Sequence, residues 1–448
     1  MTIDRRRLLL GSLSSAAVFA TPARAAPTQP QGLNATQFGV RPNTTEDQSQ
    51  RLQRAIDQAA RANKPLWLPP GRYRAGDLKL RAGSQLTGVR GATHMALTRG
   101  PSLLSAEGAA AITLSGLMLD GGNRPLASDG GLIHLTAVSA LRVVDCTLTG
   151  ASGNGIALYQ CDGEIARNSI AGATESALFS NDSHGLIVSG NIISDCGNGG
   201  ILVWQSEKRS DRSVIAGNHI DNTAARSGGS GQNGNAINVY RAANVTVRNN
   251  VIRGAAFSAI RGNSASHIQI IGNNCVDLGE VAIYSEFEFE DAIIADNVID
   301  QAGTGISVTN FKEGGRLASV RGNVIRNISS RRPGAAPEDG GVGISVEADT
   351  SVTGNVIENA QTAGISAGWG PYLRDVTVSK NVVRQCGVGV AVSVVKGAGR
   401  ATIADNLLAG SQRGAIVGME WHKAVTGDLA LAGAEHYPHL KLSGNRTG

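Results

Sequence analysis

Cysteine, aromatic residues and net charge are all in short supply in this chain. Its five cysteines, Cys146, Cys161, Cys196, Cys275 and Cys386, form no CxxC pair and no Cys/His spacing. That pattern gives no zinc or thioredoxin-type centre, and no other metal or cofactor motif stands in for one. Cys196 and Cys386 each fall five residues after a repeated asparagine, where sister segments carry Ala173, Thr223, Ala255, Gly279, Ala302 and Ala360. Such a column calls for small inward side chains, so these cysteines read as buried hydrophobes. A disulfide such as Cys146 to Cys161 is the alternative for an exported protein.

Positive charge is equally thin. The formal net charge is +5, and removing residues 1–25, which carry Arg5, Arg6, Arg7 and Arg24 against Asp4, leaves +2. Lysines are not clustered, so electrostatics make no case for nucleic acid as a partner. Beyond residue 25 no run is apolar enough to span a bilayer, which argues against a membrane-integral protein.

The first residues have a logic of their own. Asp4-Arg5-Arg6-Arg7-Leu8-Leu9-Leu10 sets the paired arginines Arg5 and Arg6 before an apolar stretch that reaches Phe19. Ala23-Arg24-Ala25 then offers a small-x-small cleavage site between Ala25 and Ala26. The stretch is too short for a permanent anchor. The sequence therefore predicts a removable twin-arginine signal over 1–25, a periplasmic mature protein, and the twin-arginine translocase as partner during export. That route carries folded proteins, often loaded with a cofactor. Rapid folding explains it as well, and no cofactor is expected.

Internal repetition dominates the rest. A Gly/Asp-Asn-β-branched-β-branched unit recurs, as in Gly190-Asn191-Ile192-Ile193, Asp296-Asn297-Val298-Ile299 and Gly354-Asn355-Val356-Ile357. Taken at Asn168, Asn191, Asn218, Asn250, Asn274, Asn297, Asn323, Asn355, Asn381 and Asn406, the spacings are 23, 27, 32, 24, 23, 26, 32, 26 and 25. Between them lies a second unit, small-aliphatic-x-aliphatic, as in Gly155-Ile156-Ala157-Leu158 and Gly305-Ile306-Ser307-Val308. Each unit alternates with period two and is bounded by Gly or Asn, which describes short strands separated by turns. No helical segment intervenes. The expected fold is all-β: a right-handed parallel β-helix (solenoid) over 66–448, each coil winding once and stacking on the last. A leucine-rich repeat would need an L-x-x-L-x-L frame, and here Val, Ile and Gly dominate. The asparagine is expected to take the left-handed backbone at the bend and to bond its amide to the next asparagine, about 4.8 Å away.

A longer period overlies the coils. Asn218 to Asn323 and Asn250 to Asn355 are each 105 residues, and Asn168 to Asn274 is 106. Enlarged segments recur in step, at Asp120 to Gly131, Asp221 to Asn235 and Arg326 to Gly341, with a degenerate fourth copy expected from Gly427-Asp428-Leu429. At about 4.8 Å per coil they would emerge on one side roughly 19 Å apart, as a rim. Residues 26–65 are expected to close the stack as an N-terminal cap. Its helix, over about 46–62, puts Leu52, Ile56, Ala59 and Ala60 on one face.

Phe38-Gly39, the capping helix and the turn Leu68-Pro69-Pro70-Gly71-Arg72-Tyr73 resemble the entrance of pectate-lyase-type β-helix proteins. With its paired arginines and its repeats, nearly the whole chain resembles a family of twin-arginine-translocated uncharacterised repeat proteins, whose activity is unassigned. The wider superfamily includes polysaccharide lyases, polygalacturonases and mannuronan epimerases, so the resemblance implies a polysaccharide partner. Their catalytic strings, such as Asn-Thr-Asp, Asp-Asp, Gly-His-Gly and Asp-Pro-His-Asp, are missing here, and no catalytic residue carries over.

Alternation nonetheless nominates residues. One outward column reads Thr136, Tyr159, Asn181, Trp204, Tyr240, Asn263, Glu286, Thr309 and Glu347. Its neighbour reads His134, Ala157, Phe179, Leu202, Asn238, Arg261, Tyr284, Ser307 and Ser345. Aromatics are 4% of the chain, yet Tyr159, Phe179, Trp204, Tyr240 and Tyr284 gather on this face. Rings cover the apolar faces of sugars while groups such as Asn238 take hydroxyls, which makes these six the candidate substrate-binding set. Packing beneath the enlarged loops is the plain alternative. The acidic run Glu286-Phe287-Glu288-Phe289-Glu290-Asp291 reads as a loop of solvated carboxylates. A sharper reading pairs Glu286 with Glu347, about 9.6 Å apart, as acid and base on a glycosidic bond. Arg261 beside Tyr284 would then bind a uronate carboxylate, or serve proton abstraction in a lyase or epimerase. Three functions stay open: an enzyme acting on a polysaccharide, a non-catalytic envelope scaffold or binding protein, and a cofactor-carrying exported protein.

Overall fold

The computed structural model describes residues 32–229, 231–331 and 340–448. The expected signal, with Arg5, Arg6, Ala25 and Ala26, lies outside them. Three sheets of 16, 15 and 15 strands run the length of the described chain, here called A, B and C in the order each coil visits them. Between the two ends, neighbours within a sheet are every third strand of the chain and the pairing is parallel, so each coil stacks on its predecessor as a parallel β-helix. Periodicity is the cause. Ile156, Leu158, Ile201, Val203, Ile237 and Val239 are fully buried, and the residues between them point out of sheet C.

The asparagine ladder stands at the corner between sheets A and B. The backbone N–H and Nδ2 of Asn273 both donate to Oδ1 of Asn297, at 2.9 and 3.0 Å, and those of Asn297 donate to Asn323 at 3.0 and 2.9 Å. Nδ2 of Asn297 also donates to the carbonyl of Ile270 in the coil before. The same pattern continues to Asn445. Because these asparagines are buried, every amide group needs the partner it has.

Two expectations about the ladder are corrected. Asn273, not Asn274, holds the place: Asn274 points outward and Cys275 inward, because a register read one residue late exchanges the two faces. All three long repeats are then 105 residues, and buried Leu278, rather than Gly279, fills the inward column. The left-handed backbone belongs to the residue before each asparagine, as at Arg167, Gly190, Gly217, Gly272 and Asp296, with φ of 55, 61, 65, 67 and 57°. The asparagine contributes its amide, and its predecessor makes the bend.

The enlarged segments occupy 121–130, 222–234 and 329–341, all between a sheet B strand and a sheet C strand. Gly427-Asp428 does not start a fourth. It ends Lys423–Asp428, an antiparallel strand that covers the last parallel strand of sheet C, Ile416–Glu420. The Asp428 carboxylate accepts from the N–H groups of Ala415 and Ile416, at 2.8 and 3.1 Å.

At the other end, helix α1 (Ser49–Arg61) buries Leu52, Ala55, Ile56 and Ala59, while Ala60 is only half-buried. It begins later than expected. Asp47 bridges to Arg74, and the Gln48 side chain bonds the backbone of Arg41 at 2.7 and 2.8 Å, which holds both residues out of the helix. Gln53 blunts the open edge of sheet C: its amide bonds the N–H and the carbonyl of Lys79, each at 2.8 Å.

Candidate functional site

The outward columns of sheet C assemble as their spacing requires. His134 pairs with Ala157, Ala157 with Phe179, Phe179 with Leu202, Leu202 with Asn238, and Asn238 with Arg261. In the neighbouring column Tyr159 pairs with Asn181, Asn181 with Trp204, and Trp204 with Tyr240. The two columns interleave their rings. His134, Tyr159, Phe179, Trp204 and Tyr240 follow one another with centroids 5.4, 5.8, 5.3 and 5.9 Å apart, mostly edge to face. That geometry suits ring quadrupoles and leaves each ring half-exposed.

The first two enlarged segments wall this floor on its upstream edge. Tyr159 donates its hydroxyl to the carbonyl of Asp129 in the first, at 2.8 Å. Asn238 donates Nδ2 to the carbonyl of Gly231 in the second, at 2.9 Å. Between them lies a cleft of about 390 Å³, with Leu126, Asp129 and Asn154 on one side, Asn233 on the other, and Phe179 and Trp204 beneath. A second depression of about 360 Å³ continues past Trp204 to Gln232, Asn238, Tyr240 and Asn263. On the N-terminal side a depression of about 380 Å³ runs over His134, Tyr159, Asn181 and Asp182. Burial and the nearby Lys79 ammonium both hold the His134 imidazole below its ordinary pKa. Burial, with Asp129 nearby, raises the Tyr159 phenol.

The candidate acid and base have other employment. Glu286 is buried, and its Oε1 accepts from Nε of Arg261 at 2.6 Å and from Nδ2 of Asn263 at 2.8 Å. Glu280 approaches the same guanidinium at 3.6 Å. Arg261 is itself buried and lies 5.0 Å from the Tyr284 ring centroid, so its charge is already matched. Tyr284 sits beyond this ion cluster, apart from the ring ladder. Burial first, and Glu286 second, push its phenol up to about 12. Glu347 is buried too, and its carboxylate accepts from the N–H of Phe311 at 2.7 Å. Neither Glu286 nor Glu347 lines any of the depressions above.

The acidic run divides. Glu288, Glu290 and Asp291 pair near the surface with Lys208, Arg316 and His267, at 2.5, 2.7 and 2.7 Å. Phe289, by contrast, is fully buried. All five cysteines are free and buried, so Cys146 and Cys161 form no disulfide. Burial pushes the Cys275 thiol up to about 12, which leaves it inert. Among the described residues no cluster of His, Cys, Asp and Glu is arranged to hold a metal, and no helix is long and apolar enough to cross a membrane.

The structure thus gathers Tyr159, Phe179, Trp204, Asn238 and Tyr240, adds His134 and Asn263 from the same columns, and places Arg261, Tyr284 and Glu286 in the two coils that follow, with Glu347 further on. The loop residues Asp129, Gln232 and Asn233 carry no catalytic or binding motif. Their signal was positional: the first two enlarged segments end directly at strands that bear an outward ring, His134 and Tyr240.

The family model described as "Right handed beta helix region" matches residues 130–228 and 210–374, more than half of the chain. No curated protein matches the sequence. Among solved structures, the N-terminal fragment of gene product 12 of bacteriophage phi29 is similar with a TM-score of 0.53 at 13% identity, over 87% of this chain and 71% of that one. The Dettilon tailspike protein gp208 is similar with a TM-score of 0.51 at 16% identity, over 86% and 68%. The catalytic unit of a GH87 alpha-1,3-glucanase from Streptomyces thermodiastaticus gives a TM-score of 0.48 at 14% identity, over 95% and 70%. At these identities the likeness is one of fold alone.

Proposed function

The chain belongs to the right-handed β-helix family, and we propose that it binds an extended polysaccharide laid along the stack axis of sheet C, without cleaving it. One observation carries the reading: the ladder of rings from His134 to Tyr240, with centroids 5.3 to 5.9 Å apart, open beside two loops. Rings repeated coil by coil offer apolar faces to successive sugar units, and Asn181, Gln232, Asn238 and Asn263 supply amides for their hydroxyls. Binding rather than turnover is supported by the two expected catalytic carboxylates; of the others at the groove, Asp182 is held by Arg209 and Ser206, and Glu175 accepts from Asn198. A general acid must reach the glycosidic oxygen, and Glu286 and Glu347 are buried against Arg261 and a backbone N–H instead.

The test is a panel of soluble polysaccharides: polygalacturonate, alginate, xylan, mixed-linkage β-glucan and dextran. At least one should bind and be recovered at its original length. Burying a ring face is worth on the order of 1–3 kcal/mol, so Trp204→Ala should weaken that binding about 5- to 150-fold. Unchanged affinity in the variant, or shortened polymer with the parent, contradicts the proposal.

The same proposal puts the protein in the periplasm, as a member of the twin-arginine-translocated repeat family. Arg5, Arg6 and the Ala25–Ala26 site support it. Replacing both arginines by lysine should leave uncleaved precursor in the cytoplasm. Normal processing of that variant contradicts export by this route.

A further inference from the structure

Two of the chain's four tryptophans lie outside the groove and against each other, at the C-terminal end of sheet C. Trp369 stands in the turn Trp369-Gly370-Pro371-Tyr372, whose ends exchange hydrogen bonds of 3.2 and 3.0 Å. Trp421 and His422 form the tight turn between Ile416–Glu420 and Lys423–Asp428. The indoles meet edge to face with centroids 5.6 Å apart, and the His422 ring lies 4.3 Å from Trp369. Even so, 37% of Trp369 and 46% of Trp421 stay exposed.

The backbone is arranged to hold them there. Trp421 has φ 55°, at the first central position of its hairpin turn, where glycine fits without strain and a bulky residue does not. Gly370 forms the floor: a Cβ there would come 2.4 Å from the Trp421 ring, so glycine alone lets the two turns close. Ser393 fixes that floor by donating its hydroxyl to the Gly370 carbonyl at 2.6 Å. Strain of this kind persists only where the surroundings enforce it, and it collects at binding sites. A ring that merely plugged the core would be buried. These are half open and rigid, with exposed Glu420, His422 and Lys423 beside them. Protein-binding patches draw on wide contiguous apolar surface. Fixed ring faces bordered by polar groups instead match a sugar, with its apolar C–H face and its hydroxyls.

We propose that Trp369, Trp421 and His422 form a second carbohydrate-binding platform, distinct from the groove. It shares the groove's ligand class and none of its residues. Because the chain holds only Trp67, Trp204, Trp369 and Trp421, the full chain labelled with 5-fluorotryptophan gives one ¹⁹F signal per indole, assignable from single Trp→Phe variants. Titrated with the same polysaccharide panel, the Trp369 and Trp421 signals should shift, and should still do so in Trp204→Ala. If only the Trp204 signal moves, the platform is refuted and the groove stands. If only Trp369 and Trp421 move, the platform stands and the groove is refuted. If none moves, both fall. Trp421→Gly relieves the strained turn, so its Tm should match or exceed the parent's while its polymer affinity falls on the order of 10-fold through lost bivalency. A clear drop in Tm would make Trp421 a structural plug and overturn the platform. So would Trp369 and Trp421 signals that depend on protein concentration without sugar, the mark of self-association.

Discussion

Desolvation pushes the Glu347 carboxyl up to about 7, against the opposing help of N–H groups from Phe311 and Asn310. Its unfolded value is about 4.3, so the folded chain holds this proton more tightly. The native state therefore gains nothing below the unfolded value and loses stability as pH rises between the two, with the full cost in place above about 7. Glutamine keeps an oxygen for the Phe311 N–H and has no proton to lose. Glu347→Gln should match the parent near pH 4 and exceed it by pH 8, by roughly 3.5 kcal/mol at most, the worth of such a shift. Urea unfolding of both proteins at the two pH values checks this, and a constant difference would contradict it. The residue scale also shows where reading the chain stopped. Alternation identified Arg261, Glu286 and Glu347 as outward, and Arg261 and Glu286 hold the register expected, while Glu347 falls just past the end of its strand. It carried no information on what lies over an outward residue, and all three are buried. Outwardness is a local property of the strand, whereas cover comes from turns elsewhere in the chain, such as Phe311–Glu313 over Glu347.

Individual strands here are only three to six residues for the most part, so no coil could stand alone, and stability is a matter between neighbours. The asparagine ladder is the clearest instance. Oδ1 of Asn297 takes two donors from Asn273, and its Nδ2 serves Ile270 and Asn323. Valine would strand all of these inside the stack, so Asn297→Val should cost about 3 kcal/mol or more. An unchanged urea midpoint would mean the ladder is not what joins these coils. Coil positions, strand alternation and the three enlarged segments were legible because each repeats, so one error is outvoted by its sisters. The misplacements occurred where a repeat offered two candidates or none. Asn273-Asn274 gives two asparagines, and only the inward position of Cys275 decides between them. The start of α1 depends on Gln48 reaching Arg41, a contact without any periodic signal. The antiparallel end at Lys423–Asp428 likewise has no sister coil to reveal it.

The described coils form one stack, and its sheet C face is differentiated along its length. Its aromatic stretch runs from the His134 strand to the Tyr240 strand beside two enlarged segments, and the ion cluster of Arg261 and Glu286 follows in the next two coils. At about 4.8 Å per coil, the four steps of the ring ladder span roughly 19 Å. A ligand that lies along this axis must therefore be a chain, and each added sugar unit should meet another ring until the span is filled. Calorimetric titration with size-graded oligosaccharides of whichever polymer binds tests this most directly. Affinity should climb with length and then level off once the oligomer covers the ladder, and Trp204→Ala should flatten the climb. Full affinity for a monosaccharide or disaccharide, with no gain on lengthening, would contradict a groove along the stack.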